Sequence, residues 1–285
     1  MMLSVPLQKI DCVNDVELYM LRLDLNHEHI SGNKWYKLER NFQQANEQNK
    51  TILTFGGAFS NHIAATAAAG KENRIKTIGI IRGEEVNNPT LSFARSAGME
   101  LHFVSRELYR DKTKLNEFAA SKFPKAYIVP EGGANELGVL GCTKIRKEIE
   151  IPFDIVCCAC GTGTTLAGIV LSINEGERAL GFQILKAENY IKTEVENWLS
   201  LSASTYNNWN INEDYHFGGY AKVNDELLQF IKNFEQKYSI LLEPIYTGKM
   251  MYGIFDLLKK GYFKPGQKII AIHTGGLQGN QGFRN

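Results

Sequence analysis

Short apolar runs alternate with amphipathic ones along most of this chain, and each changeover falls at glycine or a polar cluster. Residues 16–25, VELYMLRLDL, alternate loosely and read as a strand; Asn26–Gly32 form a polar turn, and Lys34, Lys37, Leu38, Phe42 and Ala45 then keep helical spacing. TILTF (51–55) is a strand, GGAFSNH a turn, and IAATAAAGKENR a small-residue helix closed by Gly70. TIGIIRG, NPTLSFARSAG, MELHFVS and YRDKTKLNEFAASKF repeat strand and helix, and AYIVPEGGANELGVLGC ends a strand in a glycine-rich loop. FDIVCCAC (153–160) is continuously apolar, as a strand buried on both faces is. GTGTT, the helix LAGIVLSINEG and the strand LGFQILKAEN follow, and residues 190–216 read as a looser insertion. NDELLQFIKNFEQKY is an amphipathic helix capped by Asn224, EPIYTGKMMYGIFDLLKKG a turn and a helix closed by Gly261, and KIIAIHTGG a last strand ending in a glycine turn. The alternation predicts an α/β fold with parallel sheets and right-handed crossovers.

Composition narrows the partners. The 285 residues carry 32 basic and 31 acidic side chains, so no whole-chain field draws in nucleic acid or an anionic membrane, and a small neutral or zwitterionic partner fits better. No apolar run approaches the length of about 18 residues that suggests a membrane span, and MMLSVPLQKIDCVND lacks a basic segment followed by a long apolar one. A cytoplasmic location is expected. The five cysteines, 44% hydrophobic composition and absence of a spaced cysteine framework point to a thiol-containing globular core. Cys157-x-x-Cys160 lies inside the apolar strand with no second pair at zinc-site spacing, so no metal site is expected. His273, at the end of the last strand, reads as a packed histidine.

Candidate chemistry sits in the turns. Lys34, at a strand-to-helix connection, occupies a place where α/β enzymes hold reactive groups. Gly161–Thr165 follows a buried strand and opens a helix, so backbone N–H groups and hydroxyls converge on an anion site suited to phosphate. A P-loop would need Lys-Ser/Thr after Gly163 and Gly168, where Ile169 and Val170 stand; a dinucleotide fingerprint would need glycine at Leu166, although Glu188 imitates its ribose-binding acid. A compact cup for one phosphate monoester remains. In GGAFSNH, Ser60 suffices as a helix cap; with Asn61 and His62 it makes three polar side chains at one helix start, able to receive a carboxylate and hold a polar ring.

GNKWYKLE, GGAFSNH, GTGTTLAG, EPIYTGK and HTGG, in this order, resemble the motifs of the D-cysteine desulfhydrase and 1-aminocyclopropane-1-carboxylate (ACC) deaminase family, across residues 15–280. The resemblance implies a tryptophan-synthase-β-like, two-lobe architecture with pyridoxal 5'-phosphate (PLP) between the lobes. Residues 1–39 and 148–285 would form the larger lobe and 40–147 the smaller. It further implies that Lys34 carries the Schiff base and that Lys37 is a second lysine without that role. Gly161, Thr162, Gly163, Thr164 and Thr165 match the phosphate loop, and Asn61 the residue beside the pyridine hydroxyl. Ser60 and His62 match substrate-carboxylate and acid/base positions; Tyr246 and, less directly aligned, Tyr220 match tyrosines facing the substrate.

Thr247 and Thr274 discriminate within the family. Ring-opening members usually have Glu after the tyrosine of YTGK and Leu before the last Gly-Gly; here both are Thr. A carboxylate would keep the pyridine nitrogen protonated, whereas a hydroxyl leaves it neutral or weakly bonded. The expectation is α,β-elimination from D-cysteine, with Lys34, Ser60 and Tyr246 catalytic, in a homodimer. ACC deamination, elimination from D-serine, a silent PLP-binding protein and a nucleotide-binding domain are the alternatives. Trp35 and Tyr36 replace the family's Thr-Arg, Phe59 replaces a Gln, and the segment Arg82–Gly98 is shorter, which leaves the substrate open.

Overall fold

The structure, a computed structural model, describes residues 3–282. The chain opens with a hairpin the sequence pattern had not suggested, β1 (Leu7–Val13) against β2 (Val16–Leu21), joined through Asn14 and Asp15. Both turn residues have positive φ, 51° and 62°, the geometry of a type I′ connection that asparagine and aspartate tolerate. Only Ile10 of β1 is fully buried, so this edge strand carries almost no hydrophobic signature.

Helix α1 (Asn33–Glu47) leads into a four-stranded, all-parallel sheet. In chain order it comprises β3 (Ile52–Gly57), α2 (Asn61–Asn73), β4 (Thr77–Arg82), α3 (Pro89–Ser96), β5 (Met99–Val104), α4 (Arg106–Arg110), α5 (Lys112–Lys122) and β6 (Tyr127–Val129), with strand order β5-β4-β3-β6. Helix α6 (Glu136–Cys142) returns the chain to the first sheet through β7 (Ile155–Cys160), α7 (Thr164–Val170), β8 (Arg178–Gln183), α8 (Tyr190–Leu199), β9 (Trp209–Asn212), α9 (Asp225–Tyr238), α10 (Thr247–Lys259) and β10 (Lys268–Ile272). This six-stranded sheet runs β1-β2-β10-β7-β8-β9 and is parallel except for β1. Both chain ends therefore build one sheet, and residues 52–129 the other. The ends of the expected larger lobe, residues 1–2 and 283–285, lie outside the described residues.

Every residue of β7 is buried, and its faces serve different cores. Cys157 packs with Leu18, Met20 and Ile254, whereas Cys158 and Cys160 pack with Val139, Leu166 and Ile270. The Cys-x-x-Cys pair thus points to opposite sides of the sheet. His273 is fully buried, its Nε2 2.7 Å from Leu241 O. Among the described residues no group of three or more His, Cys, Asp or Glu is placed to hold a metal ion, and no helix is long and apolar enough to cross a membrane.

Three local expectations are corrected. Helix α2 runs through Gly70 to Asn73 and stops at Arg74 in a left-handed conformation; Gly70 is a close-approach residue, since a β-carbon there would lie 2.4 Å from Thr77 Cγ2. YRDKTKLNEFAASKF is two helices broken at Asp111, whose extended backbone lets its carboxylate accept the Lys114 N–H. The supposed insertion 190–216 contains α8 and the edge strand β9, whose half-exposed WNIN conceals its period.

Candidate active site

Strands β3, β7 and β10 end at the turns that carry Ser60–His62, Gly161–Thr165 and Thr274–Gly276, and open α/β sheets bind ligands in the cleft at such carboxyl ends. Lys34 enters it from the second position of α1. Gly32, at φ 73°, brings the chain against the end of β10: a β-carbon there would fall 1.9 Å from Thr274 O, and Asn33 N donates to that carbonyl at 3.3 Å. Asn26 clamps the approach, its side chain donating to Gly32 O and accepting from Gly32 N. Asn33 then bridges two parts of the site. Its Oδ1 accepts from Lys34 Nζ at 3.0 Å and its Nδ2 donates to Thr165 Oγ1 at 2.8 Å.

Desolvation, with help from the Lys37 charge, pushes the Lys34 amine down to about 7. Lys37, one turn on, is 3% exposed and also lowered by burial. Its Nζ donates to Gly132 O at 3.3 Å and Thr162 Oγ1 at 3.4 Å. The two lysines therefore divide: Lys34 is a near-neutral amine beside Asn33, and Lys37 leans on the threonine cup.

That cup is Gly161–Thr165. Thr162 and Thr164 hydroxyls lie 3.0 Å apart, Thr164 and Thr165 are buried, and Gly163 at φ 70° turns the chain into α7. The first-turn amides of α7 have no intrahelical acceptors and face the same space as the hydroxyls. Tyr246 closes one side, its Cε1 3.0 Å from where a β-carbon on Gly161 would sit.

From the other sheet, Ser60 caps α2 by accepting the Ile63 N–H at 3.3 Å. Asn61 lies against the glycine turn after β10, its Nδ2 2.2 Å from a β-carbon position on Gly276, and its buried Oδ1 has no partner among the described residues. His62 is 3% exposed, with Nε2 2.8 Å from Thr54 Oγ1. Thr54 gives its one hydroxyl proton to Val129 O, so the network assigns the imidazole proton to Nε2 and leaves Nδ1 a bare, buried acceptor. Desolvation and the two lysines hold the His62 pKa well below the usual histidine range. Gly133, at φ 71°, fits between Lys37 and His62, with a β-carbon position 3.2 Å from Lys37 Cβ and 3.6 Å from His62 Cε1.

The threonine pair is not equivalent. Thr247 is fully buried and its hydroxyl donates to Glu243 Oε1 at 3.1 Å; Thr274 is 8% exposed and adjoins Gly32 and Asn33 through its carbonyl. Tyr220 stands exposed on the 216–222 loop, its ring 6.2 Å from that of Tyr246 in an edge contact. The cleft thus gathers Lys34, Asn61, His62, Gly161–Thr165, Thr274 and Tyr246, with Tyr220 at its mouth and Thr247 turned behind it. Asn33, Glu243 and Lys249 escaped the sequence reading. All three lay inside the recognised motifs, but nothing local distinguishes a bridging amide from a cap or a buried lysine from a surface one.

An amine near neutrality, a hydroxyl and amide cup, and unpartnered acceptors on Asn61 and His62 together define a site for an aldehyde that also carries a phosphate. The family model described as "Pyridoxal-phosphate dependent enzyme" matches residues 4–275, and the chain belongs to that family. PLP is therefore its cofactor, and the residues present suit it. A putative 1-aminocyclopropane-1-carboxylate deaminase of Pyrococcus horikoshii is 32% identical over 92% of this chain and 85% of its own. The mitochondrial bifunctional D-cysteine desulfhydrase/1-aminocyclopropane-1-carboxylate deaminase of Arabidopsis thaliana is 31% identical over 93% of this chain and 74% of its own. A crystal structure titled as an ACC deaminase homologue superposes with TM-score 0.83 at 29% identity, covering 98% of this chain and 91% of that one.

Proposed function

We propose that the chain catalyses α,β-elimination on a small amino acid, D-cysteine foremost, with water converting it to pyruvate, hydrogen sulfide and ammonia. The observation that carries this reading is the pair Thr247 and Thr274. Neither supplies a carboxylate to the cleft, and the neighbouring carboxylate, Glu243, is taken up by the Ile245, Tyr246 and Thr247 N–H groups and the Thr247 hydroxyl. A site whose threonine positions and spent Glu243 offer no free carboxylate to the pyridine nitrogen suits α-proton loss with expulsion of a good leaving group better than the opening of an unactivated ring.

Bound PLP supplies an electron sink for the carbon that loses its proton. Lys34 would provide the amine that suits the cofactor aldehyde and the base for the substrate α-proton. Gly161–Thr165 and Lys37 would hold the phosphate, with Asn33 bracing Thr165, and Asn61 would steady the ring. Ser60, whose hydroxyl proton is free, would take the substrate carboxylate at the start of α2, His62 Nδ1 would serve there as a proton acceptor, and Tyr246 and Tyr220 would close over the departing sulfur. A thiol leaves readily as its anion, with an ordinary pKa of about 8.5, so no strong acid is required. The same reading makes the enzyme a cytoplasmic homodimer with the lobes divided near residues 40 and 147. A second reading, ACC deamination, is favoured by the names of several relatives, one of which bears both activities.

The test is to give purified holoenzyme D-cysteine, L-cysteine, D-serine and ACC separately and to assay sulfide, keto acid and ammonia. Sulfide with pyruvate from D-cysteine is expected. Ammonia with 2-oxobutyrate from ACC, and no sulfide, would move the assignment to the second reading; a visible cofactor band unmoved by any of the four would make the protein a PLP carrier.

A further inference from the structure

Lys249 is buried where neither folding nor the chemistry above asks for a cation. It is fully buried, and it occupies the first turn of α10, whose amino-terminal end has positive partial charge and repels an ammonium. Desolvation pushes its pKa down to about 8, and Glu243 is the one charge that works against this shift. A buried lysine in such a place persists only if its donors are used.

They are used on one loop. Lys249 Nζ donates to His216 O at 2.8 Å and to Gly219 O at 2.7 Å. The loop between them bends through four residues of positive φ: Phe217 at 53°, Gly218 at 90°, Gly219 at 115° and Ala221 at 56°. Phenylalanine and alanine are uncommon in that region, and each such residue stores strain that surrounding contacts must hold. The loop's internal bonds are few: Gly219 N to His216 O, Lys222 N to Gly219 O, and Gly218 N to His216 Nδ1. Phe217 rests edge-on against Tyr252, about one turn beyond Lys249 on α10. Tyr220, at the crest, is exposed and meets Tyr246 alone among aromatic rings.

We infer that Lys249 is a positioning residue: it fastens the strained 216–222 loop to α10 and so fixes Tyr220 against Tyr246 at the mouth of the cleft. Tyr246 and Lys249 lie on the same helical turn, so one rigid element sets both the inner tyrosine and, through two carbonyls, the outer one. That Tyr220 then acts on substrate rests on the function proposed above. That Lys249 holds the loop does not.

The experiment compares wild-type holoenzyme with K249M, which keeps the length of the side chain and removes its donors. Among the described residues Lys249 makes no salt bridge, so K249M strands no opposite charge and the urea midpoint is expected to fall little. Backbone amide exchange across residues 216–222 is expected to rise at least about tenfold, since two hydrogen bonds from a charged donor are lost. With the substrate that the holoenzyme turns over, KM is expected to rise about tenfold with kcat within twofold, and in a Y220A background K249M should add nothing further. G219A serves if K249M does not fold. It strains the loop at φ 115°, where a β-carbon would sit 3.3 Å from Lys186 Cβ, leaves the lysine in place, and should raise KM in the same way. Unchanged exchange at 216–222 in K249M overturns the inference whatever the enzyme turns over. So does a KM rise that persists undiminished in the Y220A background. Failure of D-cysteine turnover alone leaves the exchange result standing and falls on the proposed reaction instead.

Discussion

The Thr247 hydroxyl donates to Glu243 Oε1 at 3.1 Å while accepting the Glu243 N–H at 3.2 Å, a reciprocal pair that closes the start of α10. The same carboxylate accepts from Ile245 N at 2.7 Å and Tyr246 N at 2.9 Å. Burial raises the Glu243 pKa and these N–H donors pull it back, so the helix's positive end and the buried anion stabilise each other.

A carboxylate at position 247 is therefore in conflict with this chain, whatever it does in relatives. T247E removes the hydroxyl that Glu243 uses and sets a second buried carboxyl beside it. Two such groups cannot both ionise, and one takes a proton at neutral pH. The variant should lose on the order of 3 kcal/mol of stability by urea unfolding, the scale of an uncompensated buried charge. E243Q/T247E should recover much of that loss. A T247E protein as stable as wild type would show that Glu243 is free to move away.

The Lys34 amine should govern cofactor loading through its protonation state. Only the neutral amine attacks an aldehyde, so the rate at which apoenzyme takes up PLP should rise through pH of about 7 and level off above it. K34A should load no covalently bound chromophore at any pH. K37M removes a neighbouring cation that lowers the Lys34 pKa, so its loading limb should shift to higher pH, and loss of a cation bonded to Thr162 of the cup should weaken PLP retention roughly tenfold or more. The linkage sign is set by the depressed native value. Between about 7 and the unfolded value near 10.5, the unfolded chain holds a proton that the native apoprotein has released, so apoprotein stability should increase with pH there, and K34M should lack that rise.

His62 should remain neutral throughout the working range. Its native pKa is depressed by burial, so below the ordinary value of about 6.5 the unfolded chain gains a proton that the native imidazole refuses. Its contribution to stability is thus lost as pH falls through that value, and H62Q should show a flatter acid limb. Nitrogen NMR of the histidine should report the Nε2–H tautomer at pH 6 and 8 alike. T54V leaves the His62 Nε2–H without its partner, which should cost about 1–3 kcal/mol and mix the tautomers.

How much of this was legible beforehand follows from where each signal resides. The Gly161–Thr165 cup announces itself through its place at a strand-to-helix turn, Lys34 stands out only through the resemblance of its motif, and the alternation of strands and helices is a periodic property that survives tertiary packing. Lys249 does not, because its acceptors lie 33 and 30 positions away and exist only once the loop has folded. Gly70 was misread as a stop because local rules treat glycine as a terminator, whereas here a neighbouring strand requires its missing β-carbon. Strands β1 and β9 were invisible for a third reason: half-exposed edges need no apolar alternation. The unequal surroundings of Thr247 and Thr274 likewise arise from contacts that no linear pattern carries.

Gly32 offers the sharpest separation of backbone strain from collision. Its φ of 73° already disfavours other residues, and a β-carbon would lie 1.9 Å from Thr274 O and 2.8 Å from Gly275 N, both backbone atoms at the end of β10. Gly98, at φ 91°, has nothing within 4 Å of the same position. G98A should therefore cost only the conformational penalty, about 1–2 kcal/mol. G32A must in addition push α1 away from β10, which moves Asn33 and with it the bridge between Lys34 and Thr165. It should be destabilised well beyond G98A and should bind PLP weakly even where it remains folded, as read by urea unfolding and by the visible spectrum of the reconstituted protein. Equal losses in the two variants would mean that the turn carrying Lys34 yields without disturbing the cup.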